Sequence, residues 1–210
     1  MLPRWRHKIE ALGSFLLAAF ALTGSPGPNT LSAAAVGASF GRQRGLPYAL
    51  GLCVGVALVL IITGSGVAAA IFALPGAAPV ITVLAACYFI YLAYRIASAP
   101  PLGSSRTAHD GAPPSWYEGV AISLSNPKAY AAMGALFSGY TLIEENVFAD
   151  VAFKAGLTMV VVLIVNLSWL SFGAWLSQVL RTERTARLVN IGFALLLLIS
   201  VGLLAFGTVN

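Results

Sequence analysis

The chain has 210 residues, 59% of them apolar and only 9% charged, with a net charge of +5. A soluble domain carries about 25% charged residues, so this composition and a mean hydropathy of +0.87 exclude a water-soluble fold. The cations sit in small groups at segment ends, which argues against a nucleic-acid partner and fits a positive-inside bias with lipid as the surroundings.

Apolar runs at about 11–40, 46–74, 79–97, 117–142, 151–180 and 188–207 each reach the length of a spanning helix, and the period-2 pattern of a membrane barrel is missing. The expected fold is all-α: a polytopic helical membrane protein with six transmembrane segments, forming a single transport domain over residues 1–210. Arg4, Arg6 and Lys8 before the run Ala11 to Leu22 imitate a secretory signal. Cleavage near Gly24 would strand Pro26 at a new terminus, so retention is expected.

The first run is interrupted by Gly24-Ser25-Pro26-Gly27-Pro28-Asn29-Thr30. Proline removes a backbone donor and frees a carbonyl, and hydrocarbon offers no water to replace the lost bond. Such a break is stable only where it lines a cavity or packs on protein. With six spans, Arg42, Arg44, Arg95, Arg106, Arg181, Arg184 and Arg187 share one face. Arg4, Arg6, Lys8 and Lys154 then share the other with Glu144, Glu145 and Asp150, putting both termini outside. A re-entrant first run, giving five spans, stays open because it would place the N-terminal cations on the cytoplasmic side.

In the second run Gly64-Ser65-Gly66 is read as a place of close helix approach, and Gly192 and Gly202 in the last run likewise. Cys53 and Cys87 lie in apolar runs at a spacing unlike any metal or dithiol motif, and both are expected to be buried. The polar, proline-rich stretch from Ser98 to Ser115 reads as a linker between halves at about 11–97 and 117–207. Three segments per half is odd, so the second half enters with opposite orientation, as two inverted three-helix repeats with broken first and fourth helices.

The second break is Ser125-Asn126-Pro127-Lys128. Asparagine is a favoured N-cap and proline suits the first helical position; Pro28-Asn29-Thr30 reads the same way. Two half-helices would start in the interior with unpaired N–H groups, a site for a carboxylate. An ammonium at Lys128 costs about 2.5–3.5 kcal/mol in a span, so it should face the cavity or a partner. The candidate substrate-binding residues are Pro26, Gly27, Pro28, Asn29, Asn126, Pro127, Lys128 and Asn166 of the fifth run. Asn166 could equally glue helices together, and Trp169 and Trp175 read as packing or interfacial anchors.

No catalytic group, metal site or cofactor is expected. His7 and His109 fall in the tail and linker, Ser25 and Ser125 have no neighbouring base, and no acid lies well inside a run, Glu118 coming nearest from an edge.

The two breaks, the turn Gly41-Arg42-Gln43-Arg44-Gly45, Ala49-Leu50-Gly51 with Gly55, the run Tyr88 to Arg95, Ser125 to Ala129 and Leu188-Val189-Asn190 come in an order that resembles the LysE/RhtB amino-acid exporters of bacterial inner membranes. The chain departs from that family where Val56 and Val59 replace acidic or histidine residues and Phe137-Ser138-Gly139-Tyr140 replaces a Pro-Gln-Phe ending. The resemblance implies efflux of an amino acid or similar zwitterion across the cytoplasmic membrane, coupled to protons or another ion. The rivals are a passive pore, an assembly subunit and a thiol-redox carrier; a homo-oligomer is left open.

Overall fold

The computed structural model describes residues 4–65, 74, 76–98, 112–179 and 183–207. All regular structure among them is helical: α1 (Arg4–Gly24), α2 (Pro28–Gly64), α3 (Ala77–Ala97), α4 (Trp116–Leu124), α5 (Pro127–Gly139), α6 (Val147–Val179) and α7 (Glu183–Gly207). By length and composition, Pro28–Gly64 and Val147–Ser177 suffice to cross a bilayer, and shorter apolar helices cover Ala86–Ala97 and Arg187–Ile199.

α2 is not one rod. Gly41 has φ 77 and ψ 165, a conformation essentially confined to glycine, and it divides the helix into 28–40 and 42–64. Gly45 lies against side chains of Val36 and Leu170, so the chain doubles back there. The five-residue turn expected at 41–45 is thus one glycine followed by a resumed helix. The first apolar run consists of α1 and the first part of α2, separated by the non-helical residues 25–27; the fourth is α4 and α5, separated at 125–126.

The outer surface is apolar. Leu17, Tyr94 and Phe148 are 74%, 70% and 88% exposed, while Asn126, Asp150, Lys154 and Asn166 are buried. Large apolar side chains outside and polar ones inside suit a hydrocarbon surrounding and not water.

α2 packs mainly on α6 and α4, and α3 on α7. Glycines permit the closest approaches. A Cβ at Gly37 would collide with the Leu170 carbonyl and one at Gly173 with that of Ala34; Gly51 meets the Trp116 carbonyl and Gly119 that of Tyr48. Without a solvent-driven force between helices, such backbone proximity supplies the dispersion contacts that hold them. Gly64, Gly192 and Gly202, expected in this role, have nothing within 4 Å. Gly66 and most of the expected linker, residues 99–111, lie outside the described residues. Of the two thiols, Cys53 is buried as expected, but Cys87 is exposed on the outer face of α3.

Candidate functional site

α1 stops because Pro26 and Pro28 cannot donate to its carbonyls, which leaves the last of them without intrahelical partners. Side chains from three helices take over. Trp169 Nε1 on α6 donates to Gly24 O at 3.1 Å. Lys128 Nζ on α5 donates to Ser25 O and Ser25 Oγ, each at 2.7 Å, and to Pro26 O at 3.3 Å. Thr30 Oγ1 on α2 lies 3.2 Å from Ser25 O and 3.1 Å from Gly27 O. An ammonium at a helix C-terminus also meets the negative end of that helix's dipole.

Gly27 itself is extended, with φ 178, a backbone that any residue adopts. Glycine there leaves room for the Lys128 side chain, since a Cβ would sit 3.0 Å from both its Cδ and its Nζ and would make the lysine shift. The helix then begins with Pro28 in its first turn and no side-chain cap from Gly27. The N–H groups of Asn29 and Thr30 therefore find no acceptor among the described residues.

The second break is closed differently. Asn126 Oδ1 accepts from Lys128 N at 3.1 Å, the N-cap bond that its sequence position predicts, with Pro127 opening α5. Asn126 Nδ2 donates to Asn29 Oδ1 and Asn29 Nδ2 donates to Ser123 Oγ, both at 2.9 Å. Ser123 Oγ donates onward to Leu52 O at 2.9 Å. The two breaks are thus stitched together, and among the described residues the tip at Asn29 and Thr30 keeps open donors.

Between the breaks lies a cavity of about 40 Å³, room for roughly three waters. Thr23, Gly27, Asn29, Thr30, Asn126 and Lys128 give it a polar lining, and Val56, Ala129, Ala132, Met133, Val162 and Val165 an apolar one. Asn166 joins them while only 2% exposed. Its Nδ2 donates to Cys53 Sγ at 3.5 Å, and no described residue donates to its Oδ1.

Of the eight residues singled out from sequence, Gly27, Asn29, Asn126, Lys128 and Asn166 line this one cavity. Pro26 contributes a carbonyl to Lys128, and Pro28 and Pro127 shape the two helix starts. Trp169, expected as a packing or interfacial anchor, packs against both apolar cores and in addition caps α1. Its position three residues after Asn166, on the same helix face, was the available signal. Ser123, three residues before Asn126, was missed as well.

A second polar feature lies at the start of α6. Lys154 and Asp150, grouped in the sequence with the charges of one membrane face, are buried in the first turns of α6, their side chains 3% and 8% exposed and paired at 2.7 Å. Lys154 Nζ also donates to Phe137 O at 3.1 Å and Tyr140 O at 2.7 Å. Asp150 Oδ1 accepts from Leu142 N at 2.6 Å and Ile143 N at 2.9 Å. A fully bonded pair is how a membrane interior tolerates two charges. At the other end of the same broken segment, Glu118 pairs with Arg95 and caps Ser115. Among the described residues no cluster of three His, Cys, Asp or Glu could hold a metal.

An apolar exterior around buried polar groups and a small cavity of mixed lining defines a helical membrane protein. Residues 20–206 match the LysE type translocator family, and the chain belongs to it; it is a transporter and not an enzyme. It is 26% identical over 196 residues to the leucine efflux proteins of Enterobacter sp. strain 638 and of Klebsiella pneumoniae, covering 91% of this chain and 92% of each relative. An uncharacterised membrane protein of Vibrio cholerae is 28% identical over 126 residues, 59% of this chain and 62% of the relative. No solved structure matches.

Proposed function

We propose that this translocator is a secondary exporter carrying an amino acid outward across the bacterial inner membrane, with six spans in two inverted triplets and alternating access to the central cavity. One observation carries the reading: the cavity lining combines an ammonium at Lys128, open N–H groups at Asn29 and Thr30, and an unbonded amide oxygen at Asn166. A zwitterion needs that set, with anion partners at a helix start and an acceptor for its ammonium. Its carboxylate would take Lys128 from the carbonyls of Ser25 and Pro26, so loading would loosen the tie between the breaks. Leucine efflux by the named relatives supports an amino acid as cargo.

Coupling to an ion gradient belongs to the same proposal. No described lining residue is a carboxylate, so coupling would run through Lys128 or through the substrate's own charge. The test is efflux of radiolabelled leucine from proteoliposomes with and without a proton gradient. Saturable, gradient-sensitive efflux that Lys128→Ala abolishes, at undiminished insertion, is expected. Linear flux indifferent to the gradient identifies a pore, and wild-type efflux from Lys128→Ala removes this residue from the site.

A further inference from the structure

Resting on the reading above that a substrate carboxylate draws Lys128 away, we infer that the end of α1 is a binding site for a free monovalent cation of about potassium size. Ser25 O, Ser25 Oγ and Pro26 O form it. The Lys128 ammonium fills it in the empty protein, and the free cation takes its place when the ammonium turns to the substrate.

The ammonium already measures the site, with Nζ 2.7 Å from Ser25 O, 2.7 Å from Ser25 Oγ and 3.3 Å from Pro26 O. Ser25 Oγ gives its own proton to Leu22 O at 3.3 Å, so its lone pairs are left for a cation. Pro26 and Pro28 bring no N–H to compete, and the α1 dipole presents its negative end here. Carbonyls freed at an interior break and at the C-terminal end of a half-helix are the usual cation ligands of membrane carriers.

The ligands also decide which cation fits. All three oxygens are neutral, and among the described residues no carboxylate pairs with Lys128, so a divalent charge would be buried without compensation. Calcium and magnesium further require oxygens at about 2.3–2.6 Å and about 2.0–2.1 Å, closer than those around Nζ. Potassium has nearly the size of an ammonium and is held where carbonyl oxygens replace its water. The cavity of about 40 Å³ is large enough for such an ion with a little of its water, and Gly27, Thr30 and Lys128 line it. Once the ammonium has left, the bared oxygens are unfavourable unless something positive fills them. Cation and substrate therefore raise one another's affinity by the same factor.

Thermal unfolding in detergent, in potassium chloride or in choline chloride at equal concentration, tests the site without any substrate. Lys128→Ala should melt roughly 3 °C or more higher in potassium, the wild type should not distinguish the salts, and the double variant Lys128→Ala with Ser25→Ala should lose most of the response. Equal melting of Lys128→Ala in both salts overturns the site, as does a response of the same size in the wild type or one undiminished in the double variant. Should Lys128→Ala not fold, the wild type decides through transport. With each salt equal on both sides of proteoliposomes, potassium should lower the KM for leucine about 5-fold or more relative to choline. An unchanged KM overturns the exchange of ammonium for cation and leaves the amino-acid reading standing. Absence of leucine transport in either salt overturns the exchange together with that reading.

Discussion

The buried Asp150–Lys154 pair gives a quantitative test of how this fold keeps charges in its interior. Lys154→Met removes the 2.7 Å ion pair and the bonds to Phe137 O and Tyr140 O, leaving Asp150 charged beside two backbone N–H groups. Losing one member of a buried pair costs about 3–5 kcal/mol. Asp150→Asn keeps an oxygen for Leu142 N and Ile143 N but leaves an ammonium facing neutral groups, so its cost falls at the lower end of that range. The double variant holds no orphaned charge. Its loss should fall short of the sum of the single losses by roughly 2 kcal/mol, within the 0.5–3 kcal/mol found for contacting residues. Thermal unfolding of the four proteins in detergent, compared at one temperature, measures the cycle. Additivity to within about 0.5 kcal/mol would show that the two side chains do not stabilise one another and would refute the reasoning.

Three further outcomes follow from other contacts. Trp169→Phe keeps a ring but deletes the donor to Gly24 O; it should cost about 1 kcal/mol in the same unfolding assay and slow leucine efflux. Gly173→Ala drives a methyl into the Ala34 carbonyl, whereas Gly192 has open space, so the first should lose at least about 1–3 kcal/mol and Gly192→Ala should lose nothing; equal melting behaviour would remove the close contact. Cys87→Leu, on the apolar outer face, should leave the melting behaviour unchanged, whereas Cys53→Leu, buried in α2, should lose about 1–3 kcal/mol through overpacking; equal losses would contradict the packing of α2.

What could be read in advance was local. Pro28 and Pro127 announce helix starts because imino-acid geometry needs no distant partner, and Asn126 caps its own helix two residues on. The side chains that complete the site come from far along the chain: Trp169 reaches Gly24 across 145 positions, Asn166 reaches Cys53 across 113, and Lys128 reaches Ser25 across 103. Periodicity places such residues on a face but does not name what the face meets. The glycines make the same point. Gly37 and Gly64 look alike in apolar surroundings, yet only Gly37 lies against a neighbouring backbone. The partners of Lys154 were hidden for a related reason, since Phe137, Tyr140 and Asp150 converge on it only once the chain turns between α5 and α6.

Gly41 has a mechanical consequence. The stretch before it is keyed into α6 through Gly37 and Gly173, and the stretch after it into α4 through Gly51 and Gly119. Interlocked backbones resist sliding, so each pair behaves as a stiff block. Within α2, Gly41 is the residue with non-helical torsions. Any rearrangement that separates the blocks while preserving both therefore concentrates on a single knuckle, and swinging it must first unpick the amide thread from Asn126 through Asn29 and Ser123 to Leu52.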